Sequence, residues 1–93
     1  MHVQIGISQP ESIVEDLQTL ANTYRNEGKF VIAGALYRRA IAVLETVEPR
    51  ERTQPLLVKI LADQATMLRK VKCENVAAVV EQYARAVEKR YEI

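Results

Sequence analysis

Between Leu17 and Leu44 the chain carries two apolar stripes at helical spacing, joined through a single glycine, and this pattern leaves few folds open to it. Leu17, Leu20, Ala21 and Tyr24 recur at three- and four-residue steps, so they share one face of a helix. Gly28 then offers a residue that takes the left-handed conformation ending such a helix without steric penalty. Ala33, Leu36, Tyr37, Ala40, Ile41 and Leu44 form the matching stripe of a second helix. Small Ala21, Ala33 and Ala40 let two backbones approach closely, while Tyr24 and Tyr37 fill the space beside them. The expectation is an antiparallel helix pair.

The first helix is expected from Pro10, with Ser8 or Gln9 as its cap and Ser8–Glu11 at capping-box spacing. Its stripe runs from Ile13 through Tyr24. The second should start at Lys29 or Phe30 and run to about Val47, ahead of Pro49. Residues 48–55 read as a polar, proline-bracketed loop. A third helix, capped by Thr53 or Gln54 with Pro55 in its first turn, would turn Leu57, Ile60, Leu61, Ala65 and Leu68 inward. After a break at 71–75, a fourth from about Glu74 to Arg90 would turn Val76, Val79, Val80, Tyr83, Val87 and Tyr91 inward. Roughly three-quarters or more of the chain should be helical, against a usual share near one third. Residues 1–9 alternate polar and apolar side chains with period two. They read as an extended leader, or as a short strand or arm packing on a neighbour.

The third and fourth helices read as a degraded copy of the first two. Leu61, Ala65 and Leu68 match Leu17, Ala21 and Tyr24 at an offset of 44 residues, and Tyr83 and Ala86 match Tyr37 and Ala40 at an offset of 46. On that matching the turn gains two residues, with Lys72 in the place of Gly28. The whole constellation resembles the tetratricopeptide repeat family: the large residue opening the first helix, the Leu20–Ala21 pair, Tyr24, Gly28, and Ala33, Tyr37 and Ala40 all fall on its signature. The stretches Tyr24–Phe30 and Leu36–Glu45 are most similar to the long repeats of kinesin light chains. The resemblance implies an all-α fold of two antiparallel helix pairs, stacked as a short right-handed superhelix. It spans 10–93, with one repeat at about 10–48 and the second at about 54–91.

Composition narrows the function. Thirteen basic and twelve acidic side chains are interspersed, for a net charge of +1. That argues against a nucleic-acid binder, which carries a basic surplus or stripe. One cysteine, Cys73, and one histidine, His2, provide neither a disulfide nor a metal-ligand cluster. No cofactor or metal is expected. No apolar run is long enough for a membrane span and no signal peptide is recognisable, so the expectation is a cytoplasmic protein without a membrane partner. Lacking a phosphate loop or a Ser/His/Asp or Cys/His set, the chain does not read as an enzyme.

The resemblance implies a binding scaffold. Its concave groove would be lined by Gln18, Asn22 and Arg25 from the first helix and by Lys59, Thr66 and Arg69 from the third, with Glu15, Ala62 and Asp63 beside them. An amide such as Asn22 can both donate to and accept from an extended peptide, and Arg25 or Arg69 can hold a carboxylate. A lysine–asparagine carboxylate clamp, known in a variant of the fold, is rejected because Gln18 replaces the lysine and Asp63 the second asparagine. The expected function is protein–protein interaction, with a partner segment in the groove. The alternative is a self-associating structural protein without a peptide ligand. The fourth helix is apolar over about half its circumference, wider than a one-sided surface helix needs. Val76, Val79, Val80, Tyr83 and Val87 are therefore candidate self-association residues, and a symmetric dimer is the favoured assembly.

Overall fold

A computed structural model describes residues 10–48 and 50–91. The readings made for residues 1–9, including the caps at Ser8 and Gln9, lie outside the described residues. Four helices follow one another: α1 (Pro10–Asn26), α2 (Phe30–Leu44), α3 (Arg50–Lys70) and α4 (Glu74–Tyr91). Helix makes up 88% of the described residues, with no strand among them. The all-α expectation holds.

Helix α1 packs along α2, α3 along α4, and the two pairs join where α3 lies against α2 and touches α1. The core sits at that junction. Tyr37, Leu44, Leu57 and Ile60 are its largest fully buried side chains, with Val14, Ala21, Ala33 and Ala40 around them. Gly34, also buried, meets the methyl group of Met67, which would lie 3.4 Å from any Cβ added there.

Two boundaries differ from expectation. Helix α2 ends at Leu44, where the N–H groups of Glu45 and Thr46 fold back onto the carbonyls of Ile41 and Val43 and the Thr46 hydroxyl also bonds Val43 O at 2.8 Å. Helix α3 starts at Arg50, so most of the polar run read as loop is helical and Pro55 lies inside the helix. Pro55 is the sixth residue of the helix and has no N–H to donate to the Glu51 carbonyl one turn back, so the ladder loses one bond there. Thr53 and Gln54, expected as caps, are buried, and the Thr53 hydroxyl bonds Arg50 O at 3.2 Å.

The second correction concerns register. The turn after α1 is closed by Lys29 N–H to Tyr24 O at 2.9 Å, with Gly28 at φ 80°. The turn after α3 is closed by Cys73 N–H to Leu68 O at 2.8 Å, with Lys72 at φ 67°. Gly28 N–H to Arg25 O and Lys72 N–H to Arg69 O also correspond. Every one of these pairs is separated by 44 residues, so the second turn has gained nothing: Lys72 accepts the left-handed conformation that Gly28 adopts freely. Ala77 and Ala84, rather than Val79 and Ala86, are the equivalents of Ala33 and Ala40, and all four alanines are buried. Tyr83 is therefore not the counterpart of Tyr37; Glu81 is.

The inward face of α4 is accordingly Ala77, Ala84 and Val87. Val76, Val79 and Tyr83, expected inside, are exposed by 52%, 63% and 42%. Ala84→Leu should cost about 1–3 kcal/mol by overpacking the α3–α4 crossing, whereas Ala86→Leu on the exposed side should stay within about 0.5 kcal/mol of the parent. Denaturant titration of the two variants checks the register directly; equal costs would refute it.

Candidate interaction site

The row expected to line the concave groove is brought together, and its first half is already occupied by the chain itself. Asp63 reaches from α3 across to α1. Its carboxylate accepts from Gln18 Nε2 at 3.0 Å and Asn22 Nδ2 at 3.2 Å, and lies 3.8 Å from the Arg25 guanidinium. Arg25 Nη1 also donates to the Tyr37 hydroxyl and to Asp63 O, and the Tyr37 hydroxyl donates to Asn22 Oδ1. Burial pushes the Tyr37 phenol above its ordinary pKa, opposed by the neighbouring Arg25 and reinforced by Asp63. Three helices are thus joined by one polar network. Arg25 Nε is buried without a partner among the described residues.

The second half of the row is different. Lys59 is exposed, and the Thr66 hydroxyl bonds back to Ala62 O within its own helix at 3.0 Å. Arg69 is held by Glu74 and by Glu81, whose Oε2 lies 3.3 Å from Arg69 Nε. Hydrogen bonding from Arg69 keeps the Glu81 carboxyl below the usual range and, reciprocally, raises the Arg69 pKa. Arg25 and Arg69 occupy equivalent positions, and each bonds the residue twelve places on: a phenol in the first pair, a carboxylate in the second.

The opposite side of the molecule carries what the row lacks. Between α2 and α4, floored by Leu61 and Gln64 of α3, lies an open cleft of about 420 Å³. Ile41 and Ala42 form one wall, Val79, Val80 and Tyr83 the other, with Arg38 and Glu45 on the rim. The Tyr83 hydroxyl donates to Glu45 at 3.1 Å across one end. Partial burial, followed by this bond to Glu45, raises the Tyr83 pKa. Of the five residues expected to mediate self-association, Val79, Val80 and Tyr83 line the cleft, Val76 lies exposed one turn before Val79, and Val87 is buried in the core. Val87 is unavailable to a partner.

Sequence reasoning missed the cleft because its α2 wall and α3 floor were assigned to the core. It also reads Asp63 only as the residue in place of the clamp's second asparagine, with no partner inside the chain. Among the described residues no cluster of His, Cys, Asp and Glu is arranged to hold a metal, and no helix is long and apolar enough to cross a membrane. Comparison with protein-family models, with curated proteins and with solved structures returned no match.

Proposed function

We propose that this chain is a protein–protein interaction module, an adaptor or assembly scaffold without enzymatic activity, and that it docks its partner through the apolar cleft between α2 and α4. The observation that carries this reading is the cleft itself: Val79 is 63% exposed and Tyr83 42% beside a hollow whose walls are mainly aliphatic. Apolar hollows rimmed by a few polar groups are where proteins take up partners. The resemblance of Leu17–Leu44 to tetratricopeptide repeats supports a binding scaffold in general terms. The concave row is the weaker surface, because Gln18, Asn22 and Arg25 already spend donors on Asp63. A ligand there would have to displace those bonds.

A photo-crosslinking residue placed at Val79, compared with one at Lys59, tests the location in an extract of the source cells. Adducts at position 79 that vanish with Tyr83→Glu, and persist with Thr66→Glu, are expected. Adducts confined to position 59 would return the site to the concave row, and none at either position would remove the docking function.

A further inference from the structure

Resting on the reading of the cleft as a docking surface, we infer that its occupant is a second copy of this chain, related by a two-fold axis crossing α2. The rim charges select that occupant. Arg38 lies on α2 and Glu45 caps its end two turns later, about 10 Å along the helix. Neither belongs to an ion pair among the described residues, and the Glu45 carboxylate receives only the Tyr83 hydroxyl. A segment of one charge sign laid along this rim meets one attracting and one repelling group. A second α2 running in the opposite direction places its Glu45 over Arg38 and its Arg38 over Glu45, so both charges are matched at once. Two-fold contacts have this property because the same patch meets itself reversed.

The apolar surface is self-complementary in the same way. Ile41 and Ala42 lie between Arg38 and Glu45 on α2, with the exposed Val79 on the other wall, so the same axis that matches the charges sets apolar side chains of one copy against those of the other. The far end of the stack offers a competing contact and is the poorer one. Its shallow hollow, about 300 Å³, is equivalent at the 44-residue offset to the surface of the first pair that α3 covers. There Tyr37, Ile41 and Leu44 are replaced by Glu81, Arg85 and Glu88. Charged replacements on the outer face are what terminates a stack of repeats, so head-to-tail growth is disfavoured.

Sedimentation of the purified chain over a range of concentrations, with two variants, is the test. The parent should associate to two copies and no further. Arg38→Glu and Glu45→Arg should each weaken dimerisation about tenfold or more, because each brings like charges together twice. An equimolar mixture of the two variants should recover the parent affinity. One variant is then acidic at both rim positions and the other basic at both, so opposite charges meet at each rim of the mixed pair. Circular dichroism should be unchanged, as both positions are exposed, and Tyr83→Phe controls for the lost bond in Glu45→Arg. A parent that stays monomeric, masses that grow beyond two copies, or a mixture that fails to recover would each overturn the inference. A monomeric parent that still yields adducts with another protein at position 79 would leave the docking surface standing and remove only the second copy.

Discussion

Asp63→Ala should lower the stability of the fold by about 2–3 kcal/mol, although the side chain it truncates is a polar one. The carboxylate is the common acceptor for Gln18 and Asn22 and the counter-charge of Arg25. The side chains of Arg25 and Asp63 are only 15% and 27% exposed, so water cannot fully replace what is removed. Donors left unpaired at such a site carry their desolvation cost, and a hydrogen bond to a charged group contributes about 1.5–3 kcal/mol. In a chain of this size about 1 kcal/mol moves the melting midpoint by about 4–8 °C, so a drop of about 10–20 °C is expected. Asp63→Asn should recover part of the loss, since its amide oxygen still accepts from Gln18 or Asn22 but cannot balance Arg25. Combining Asp63→Ala with Arg25→Met should cost less than the two single changes added together, because the second removes the cation stranded by the first. A midpoint unmoved by Asp63→Ala would mean the network adds nothing to stability.

Ile60→Ala should be costlier, at about 2–5 kcal/mol. Ile60 is fully buried on the face of α3 that joins the two helix pairs. Met67 rests on Gly34. Two turns back along α3 is Ile60 and two turns on along α2 is Ile41, which sets these residues level across the junction. A chain of 93 residues has about 5–14 kcal/mol in total at about 0.05–0.15 kcal/mol per residue. The variant would therefore lose a large fraction of its stability in a denaturant titration. The equivalent position in the first pair is Asp16, which is exposed, so Asp16→Ala should stay within about 0.5 kcal/mol of the parent. Similar losses at both positions would contradict the described packing.

The first helix pair was legible in most positions: Ala21, Ala33, Tyr37, Ala40 and Leu44, placed on facing stripes by spacing alone, are fully buried, whereas Ile13 and Leu20, expected on the same stripe, are 42% and 45% exposed and Val14 is buried instead. The second pair was legible only in outline. Matching Tyr83 to Tyr37 by identity required a longer turn, but backbone geometry, held by Lys72 in the left-handed region, outweighed side-chain likeness. The face of α4 was misread for a related reason. Hydrophobicity favours Val76, Val79 and Tyr83 as core residues, whereas a close crossing with α3 admits the small side chains of Ala77 and Ala84 and sends the bulkier ones outward. At the site, Gln18, Asn22 and Arg25 were placed together correctly, but their partner was not legible. Nothing in the local pattern of α3 says that Asp63 reaches another helix.

The four helices are not equally tethered. Helices α1, α2 and α3 meet one another and share the Asp63 network, whereas α4 approaches only α3 along its backbone and reaches α2 through side chains such as Tyr83 on Glu45. Proteins open piecewise, and a helix with one neighbour is the first to detach. Because α4 supplies one wall of the cleft, its detachment abolishes the cleft. Occupation of the cleft and attachment of α4 are thus one linked equilibrium, in which whatever fills the cleft slows amide exchange along α4 in proportion to its affinity.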